Sequence, residues 1–455
     1  SIGNERVGLY SSTNVRGFSP VTANNIRIEG LYIDRPAGFT DRLVQGNVVR
    51  VGLTAQSYLF PAPTGIVDYR IRPAGNDHVL SVMLGLNSWG GGRIELDGQI
   101  PIVKDRLSLV VGAAGFAEEL APGNQNFFGS YALAARWTPA PDVEVIPFWS
   151  RIDMFDREAT PLYTPRAGTL PPRIPRRQFP GPDWADQRNV VQHYGALAKA
   201  RIGPQWEVAT GLFRSTSDSF TNFAQNFTEI EPDGTAIRRV SSDPRQSLAG
   251  TSGEFRVTRH MRDGPRRHSV HASLRGRKRT SLYGGGAVIT FPRAPMEEVL
   301  HGPAPDFTFG PRTDERVTQW IAGLAYDGRW PGVGSLGVGL QRTWYRKQVD
   351  RPATPLARTD DEVWLPTFSL SAELSPRLAL YGSYTRGLEE SGLAPDSAAN
   401  RTEALPAILT TQVDAGLRWK MTDEVSLVAG LFDLRKPYFA ADEANLFREL
   451  GSVQH

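Results

Sequence analysis

Near its C-terminal end the chain reads TTQVDAGLRWKM, Thr410 to Met421. Val413, Ala415, Leu417 and Trp419 alternate with Gln412, Asp414, Gly416, Arg418 and Lys420. A period of two is that of a strand with one apolar and one polar face. The same pattern recurs. Trp320, Ala322, Leu324 and Tyr326 oppose Asp327 and Arg329, and Tyr194, Ala196, Ala198, Ala200 and Ile202 oppose Lys199 and Arg201. Tyr131, Leu133, Ala135 and Trp137 oppose Arg136, and Val270, Ala272 and Leu274 oppose His271, Ser273, Arg275 and Arg277. About fifteen such segments follow Asn76, most of about ten residues or more.

Their connections alternate in length. KDR at 104–106, TPAPD at 138–142, GPQ at 203–205, RDGP at 262–265, SPR at 375–377 and TDE at 422–424 are tight. Between them lie long polar stretches at 156–188, 218–246 and 280–315. Short turns at one end and long loops at the other are the asymmetry of an outer-membrane β-barrel, whose strands alternate and escape hydropathy scans. No apolar run reaches the roughly 18 residues of a membrane-spanning helix. Trp137, Trp330 and Trp419 precede short turns, while Trp206 and Trp364 stand where strands are expected to begin, as in aromatic girdles at the two interfaces. In hydrocarbon only a barrel satisfies the backbone of a spanning strand, and the charges of the cleanest segments keep to the face a wet lumen would solvate. A soluble all-β binding protein would instead turn the apolar faces toward one another.

Composition removes several chemistries. There are no cysteines, so disulfides, iron–sulfur clusters and thiol nucleophiles are out. A net charge of +3, from 51 basic and 48 acidic residues, does not describe a nucleic-acid surface. His268 and His271 point to opposite faces of one strand, and the seven histidines form no metal constellation. SWGGGR (88–93) and YGGGA (283–287) lack the lysine of a phosphate loop and read as loop tips. No catalytic residue, cofactor or metal site is expected. The run RGRKR (275–279), at the outer end of a strand, is either a solvated loop base or a contact for lipopolysaccharide phosphates. RIPRRQFPGPDW (173–184) mixes arginine with aromatic rings in a long loop; Arg173, Arg176 and Arg177 suit an anionic, aromatic-bearing ligand.

The first 75 residues are less regular. Asn25 to Asp34 reads as one strand with Ile26, Ile28, Gly30 and Tyr32 on a face. VRGF (15–18), IRIEGLYIDRP (26–36) and VVRVGLTAQSYLFPAPTGIVDYRIRP (48–73) resemble, in order, the plug domain of the TonB-dependent outer-membrane receptors. Arg16-Gly17-Phe18 matches the family's RGF, Glu29-Gly30-Leu31 stands at its Asp-Gly, and Val49-Arg50-Val51 and Gly65-Ile66-Val67-Asp68 match its later plug strands. The family's RGP is replaced by Gly52-Leu53-Thr54, and Thr64 stands for the first of a glycine pair. Tyr381–Pro395 and Gln412–Pro437 resemble the later barrel of the siderophore-receptor branch.

The resemblance implies an all-β fold: an antiparallel transmembrane β-barrel over 76–455, with a partial plug over 1–75. The family's barrel has about 22 strands, so about fifteen imply an incomplete wall, an open, curved sheet in a chain truncated at both ends. The TonB-binding segment and first half of the plug are not found before Ser1. The resemblance implies localisation in the bacterial outer membrane and energised uptake of an iron–siderophore complex by a monomer. Iron enters only as part of the chelate; the partners are the TonB complex, the ferric siderophore and lipopolysaccharide, with no nucleic acid. It further implies that plug apices at Gly3–Val7 and Arg35–Arg42 touch ligand, which makes Arg6, Arg35, Phe39 and Arg42 candidates; salt bridges to the barrel wall are the other role open to them. A passive or structural barrel without TonB coupling is the alternative function.

Overall fold

The computed structural model describes residues 20, 23 and 25–454, apart from 56, 57, 64, 88, 89, 171 and 175. Two sheets account for its strands. The smaller contains β1 (Ile26–Ile28), β2 (Leu31–Tyr32), β3 (Val44–Arg50) and β4 (Ile66–Ile71), in the order β2-β1-β4-β3. The stretch expected as one strand over 25–34 is two. Arg27 pairs with Tyr32 and Ile28 with Leu31 across a turn at Glu29 and Gly30. Both turn residues have positive φ, 51° and 83°, the conformation of a tight two-residue hairpin, and this breaks the alternation.

The larger sheet is the wall. Its strands are β5 (Val79–Leu86), β6 (Gly92–Val103), β7 (Leu107–Glu119), β8 (Gln125–Ala140), β9 (Val143–Glu158), β11 (Asp186–Ile202), β12 (Trp206–Ile230), β14 (Gln246–Asp263) and β15 (Arg266–Tyr283). The wall continues through β17 (Thr313–Trp330), β18 (Gly334–Asp350), β19 (Ala357–Ser375), β20 (Leu378–Glu389), β21 (Ile408–Lys420), β22 (Ser426–Ala441) and β23 (Phe447–Gln454). Each is antiparallel to the next in this series. That is sixteen wall strands among the described residues, against about fifteen expected. The sheet order sets β23 beside β5. Of the wall strands, β5 is exposed along almost its whole length, on both faces.

The long loops are partly sheet. β10 (Pro161–Pro165) runs parallel to the outer end of β12, whose Asn222–Thr228 also pairs with β13 (Thr235–Asp243). β13 in turn pairs with β16 (Ala287–Pro295). Stretches read as polar loop at 156–188, 218–246 and 280–315 therefore hold strands that extend the wall beyond the level of its neighbours.

Burial along the wall is inverted relative to a water-soluble protein. On β21, Val413 and Trp419 are 49% and 44% exposed, whereas Gln412 and Asp414 on the other face are 3% and 4% exposed. Leu133, Leu212, Leu274, Leu324 and Leu340 are exposed, while Ser130, Ser150, Ser215, Ser252, Gln319, Thr343 and Thr410 are buried. Exposed apolar rings and buried polar groups on alternating positions fit a wall with lipid outside and a filled, polar interior. Trp137, Trp206 and Trp419 are exposed toward the short-turn end, and Trp320, Trp344 and Trp364 toward the other. Trp364 lies within β19, which begins earlier, at Ala357.

The interior is filled by the small sheet. Ile26, Ile28, Leu31, Ile33, Val67 and Ile71 form one core with Ala132, Ala134, Ile146, Phe148, Leu197, Ala209 and Phe213 of β8, β9, β11 and β12. The lumen face of these four strands is thus apolar where the plug leans on it, so strands such as β9 are apolar on both faces.

Candidate functional site

On the side opposite that apolar footing, charges tie the small sheet to the wall. The Tyr32 amide donates to Glu254 Oε2 at 2.8 Å and the Asp34 amide to Ser252 Oγ at 2.8 Å. Arg279 Nε donates to Asp34 Oδ2 at 3.1 Å, and its Nη2 donates to Oδ1. Arg27 lies 3.7 Å from Glu254. Behind Asp34, Glu390 is 3.2 Å from Arg277, 3.7 Å from Arg279 and 3.5 Å from Lys347. The expectation for the run 275–279 is corrected here. Arg275, Arg277 and Arg279 share the lumen-facing parity and serve this network, with Arg275 over the Tyr32 ring at 5.1 Å. Lys278 alone of those four faces outward and is exposed.

Close approach is possible because the wall is glycine on its lumen face at these points. A Cβ on Gly250 would lie 2.9 Å from Asp34 Oδ2, one on Gly323 2.6 Å from Phe60 Cζ, and one on Gly387 2.7 Å from Pro63 Cδ. A small cavity of about 40 Å³ remains between Ile26, Phe60, Arg277, Gln341 and Glu390.

Of the expected plug residues, Arg35, Phe39 and Arg42 fall on one segment. Arg42 is buried and bonds Glu95 at 2.8 Å and Asp97 at 2.5 Å, both on β6, and Asp41 at 3.0 Å. Arg35 is buried over the rings of Phe39 and Tyr69, at 5.0 and 4.7 Å, and burial pushes its guanidinium below the ordinary value. Phe39 also meets His193 of β11 at 4.6 Å, and His193 Nε2 lies 3.1 Å from the Gly38 carbonyl. Gly38 and Asp41 are exposed. Arg35, Phe39 and Arg42 therefore hold the segment in place, while Gly38 and the Asp41 side chain remain exposed. Arg6, and the Arg16-Gly17-Phe18 motif, lie outside the described residues.

The loop candidates divide. Arg177 is held by Glu119, at 2.8 and 3.1 Å. Arg173 and Arg176 are exposed and make no side-chain bond among the described residues. The same loop brings up a residue that composition did not single out. Trp184 meets Phe223 at 5.7 Å and Phe307 at 6.1 Å, Phe223 meets Phe307 at 5.7 Å, and Phe307 meets Phe309 at 6.3 Å. The Trp184 Nε1 is buried with no hydrogen-bond partner, although an indole N–H in such a place ordinarily finds one. Arg238 lies 4.7 Å over Phe227 and donates to the Pro180 and Glu298 carbonyls at 3.2 and 2.6 Å, which clips two long loops together. A cavity of about 370 Å³ opens beside it, lined by Phe227, Phe291, Pro292 and Leu300. The outer loops therefore supply aromatic faces, an unused donor and two unpaired guanidinium groups. Among the described residues no cluster of histidine and carboxylate groups could hold a metal ion.

Comparison with known proteins agrees with this architecture. A family model described as "TonB dependent receptor-like, beta-barrel" matches residues 148–442. No curated protein matches. Among solved structures, the ferric preacinetobactin receptor BauA from Acinetobacter baumannii superposes with a TM-score of 0.71 at 16% identity, covering 95% of this chain and 66% of that one. The ferric-catecholate import receptor Fiu from E. coli K12 gives 0.74 at 14% identity, covering 95% and 69%. The pyoverdine outer membrane receptor FpvA from Pseudomonas aeruginosa PAO1, bound to pyoverdine, gives 0.74 at 15% identity, covering 95% and 66%. At these identities the likeness is one of fold, and the chain spans about two thirds of the length of each.

Proposed function

We infer that this chain, which belongs to the TonB-dependent receptor family of the bacterial outer membrane, takes part in uptake of a ferric chelate with anionic and aromatic groups. The observation that carries the reading is the outer-loop arrangement: the Trp184, Phe223 and Phe307 rings, the unpartnered Trp184 N–H, and the free Arg173 and Arg176. Aromatic faces stack on planar catechol or chromophore groups, and guanidinium forks pair with their anionic oxygens. The exposed part of the plug segment at Gly38 and Asp41 is the second contact we assign, with Arg35, Phe39 and Arg42 fixing its position. The solved receptors of like fold are named for ferric siderophores, which supports a siderophore as the ligand class.

Passage past the small sheet requires its ties to the wall to be broken, and this is the step that coupling to TonB would drive. A passive barrel, the alternative, has no use for a lumen filled in this way. Titration of the purified chain with a ferric tris-catecholate and a ferric hydroxamate, followed by tryptophan fluorescence, tests the binding. Saturable quenching that Trp184→Phe weakens supports the reading. No saturable quenching by either chelate, together with steady ion conductance through the chain in planar bilayers, would replace it with the passive barrel.

A further inference from the structure

Charge between the small sheet and the wall balances in one place and not in the next. Around Asp34 it balances: Arg277, Arg279 and Lys347 face Asp34, Glu390 and Glu315, at separations of 3.7 Å or less. Around Glu254 it does not. That carboxylate stands directly across from Arg275 in the β14–β15 register, yet other groups take it. It accepts the Tyr32 amide and lies 3.7 Å from Arg27 and 3.5 Å from Arg256. Three guanidinium groups thus gather at one carboxylate. Arg275 makes no ion pair and no side-chain hydrogen bond among the described residues; it meets the Tyr32 ring instead, and its Nε is buried without a partner. A cation shut away from water without a counter-charge is strongly disfavoured.

The unbalanced arginines border the cavity of about 40 Å³ between the sheet and the wall. Arg27 lines it from β1, Arg275 from β15 and Gln341 from β18. Gln341 is buried, and its Nε2 has no hydrogen-bond partner. Ile26, Phe60, Ile321 and Leu365 add apolar walls. Glu390 is the only carboxylate of the lining, and Arg277, Arg279 and Lys347 already engage it. A water molecule would accept from the unused donors, but it brings two hydrogens that need acceptors and no charge. A small anion accepts from every direction and supplies the missing charge. The volume admits only a few water-sized occupants, so the anion is a small one.

We propose that this cavity is a halide site, in which a chloride ion is held by Arg27, Arg275 and the Gln341 amide. Arg27 belongs to the small sheet and the other two to the wall, so the site is whole only while the sheet is seated. Detaching the sheet releases the ion. By mass action chloride then favours the seated state by a factor of one plus the ratio of its concentration to Kd. With half-saturation at about 10 mM, chloride at about 100 mM lowers the detached population about tenfold.

The full chain, purified in detergent and equilibrated in gluconate, is titrated with sodium chloride at constant ionic strength. Hydrogen exchange is followed on the peptide spanning 26–34, with wall peptides as control. Exchange at 26–34 is expected to slow saturably, about tenfold at about 100 mM chloride, equally with bromide and not with sulfate. Arg275→Gln abolishes the response. Gln341→Met keeps the volume and removes a donor; it weakens the response about threefold and carries the test if Arg275→Gln does not fold. In crystals soaked in bromide, an anomalous peak lies in the cavity beside Arg275. Exchange indifferent to chloride, an equal response to sulfate, a full response in the folded variant, or soaked crystals without a peak in the cavity would each overturn the proposal.

Discussion

Replacing Asp34 by asparagine isolates the electrostatic tie between the small sheet and the wall. Asp34 is fully buried and takes two bonds from Arg279, which is itself only one-fifth exposed. Removing one partner of a buried pair costs about 3–5 kcal/mol, because the surviving charge is left without compensation. Glu390, 3.7 Å from Arg279, still offers partial neutralisation, so the expected cost falls to about 2–3 kcal/mol. That corresponds to a rise of roughly thirty- to 150-fold in the population with the sheet detached. Hydrogen exchange followed by mass spectrometry on peptides spanning 26–34 and 66–71 reads this directly, with wall peptides as internal control. A second variant, Asp34→Asn with Arg279→Gln, leaves no orphan charge and should recover at least half of the lost protection. Unchanged exchange in Asp34→Asn, or a double variant as unprotected as the sum of its parts, would refute the argument that this pair holds the sheet in place.

Three further outcomes follow from the same geometry. Leu324→Arg puts a charge on the lipid face well inside a wall strand and should cost about 2–4 kcal/mol in lipid, read as a lowered denaturant midpoint in vesicles. Gly323→Ala brings a methyl to 2.6 Å from the Phe60 ring; an overpacking cost of about 1–3 kcal/mol should appear as a lower melting temperature, relieved by adding Phe60→Leu. Gly30→Ala forces a side chain into a φ of 83° at a cost of about 1 kcal/mol, measurable as faster exchange of the β1 and β2 amides with no change in the wall.

Much of the wall was legible because lipid imposes a strict rule. In β8, β15, β17 and β21 the parity read from sequence is the parity of exposure, and the tight turns fall where the short connections were read. The inner face follows no such rule. Ile146 and Phe148 look like a departure from alternation until the plug core is seen resting on them. The Glu29–Gly30 turn was hidden because a strand pattern and a hairpin of two very short strands look alike at that length. β10, β13 and β16 were hidden inside long loops: β10 pairs with the end of β12 and β16 with β13, both remote in sequence, while β13 is the return strand of a hairpin from β12. The run 275–279 reads as one basic patch in sequence, yet a period of two sends its arginines and its lysine to opposite sides. Trp184 stands out only when Phe223 and Phe307, remote in sequence, are brought against it.

The footing of the small sheet is lopsided, with Leu197, Ile146 and Phe148 beneath one flank and Arg277, Arg279 and Glu390 beside the other. Water entering the lumen can take over the partners of the ionic flank one at a time, whereas the oily flank gives no such stepwise exchange. A pull on the sheet would therefore loosen the β14–β20 side first, while the oily seat on β8–β12 gives way last, together with the ties of Glu29 to Arg136 and Lys199 and of His193 to Gly38.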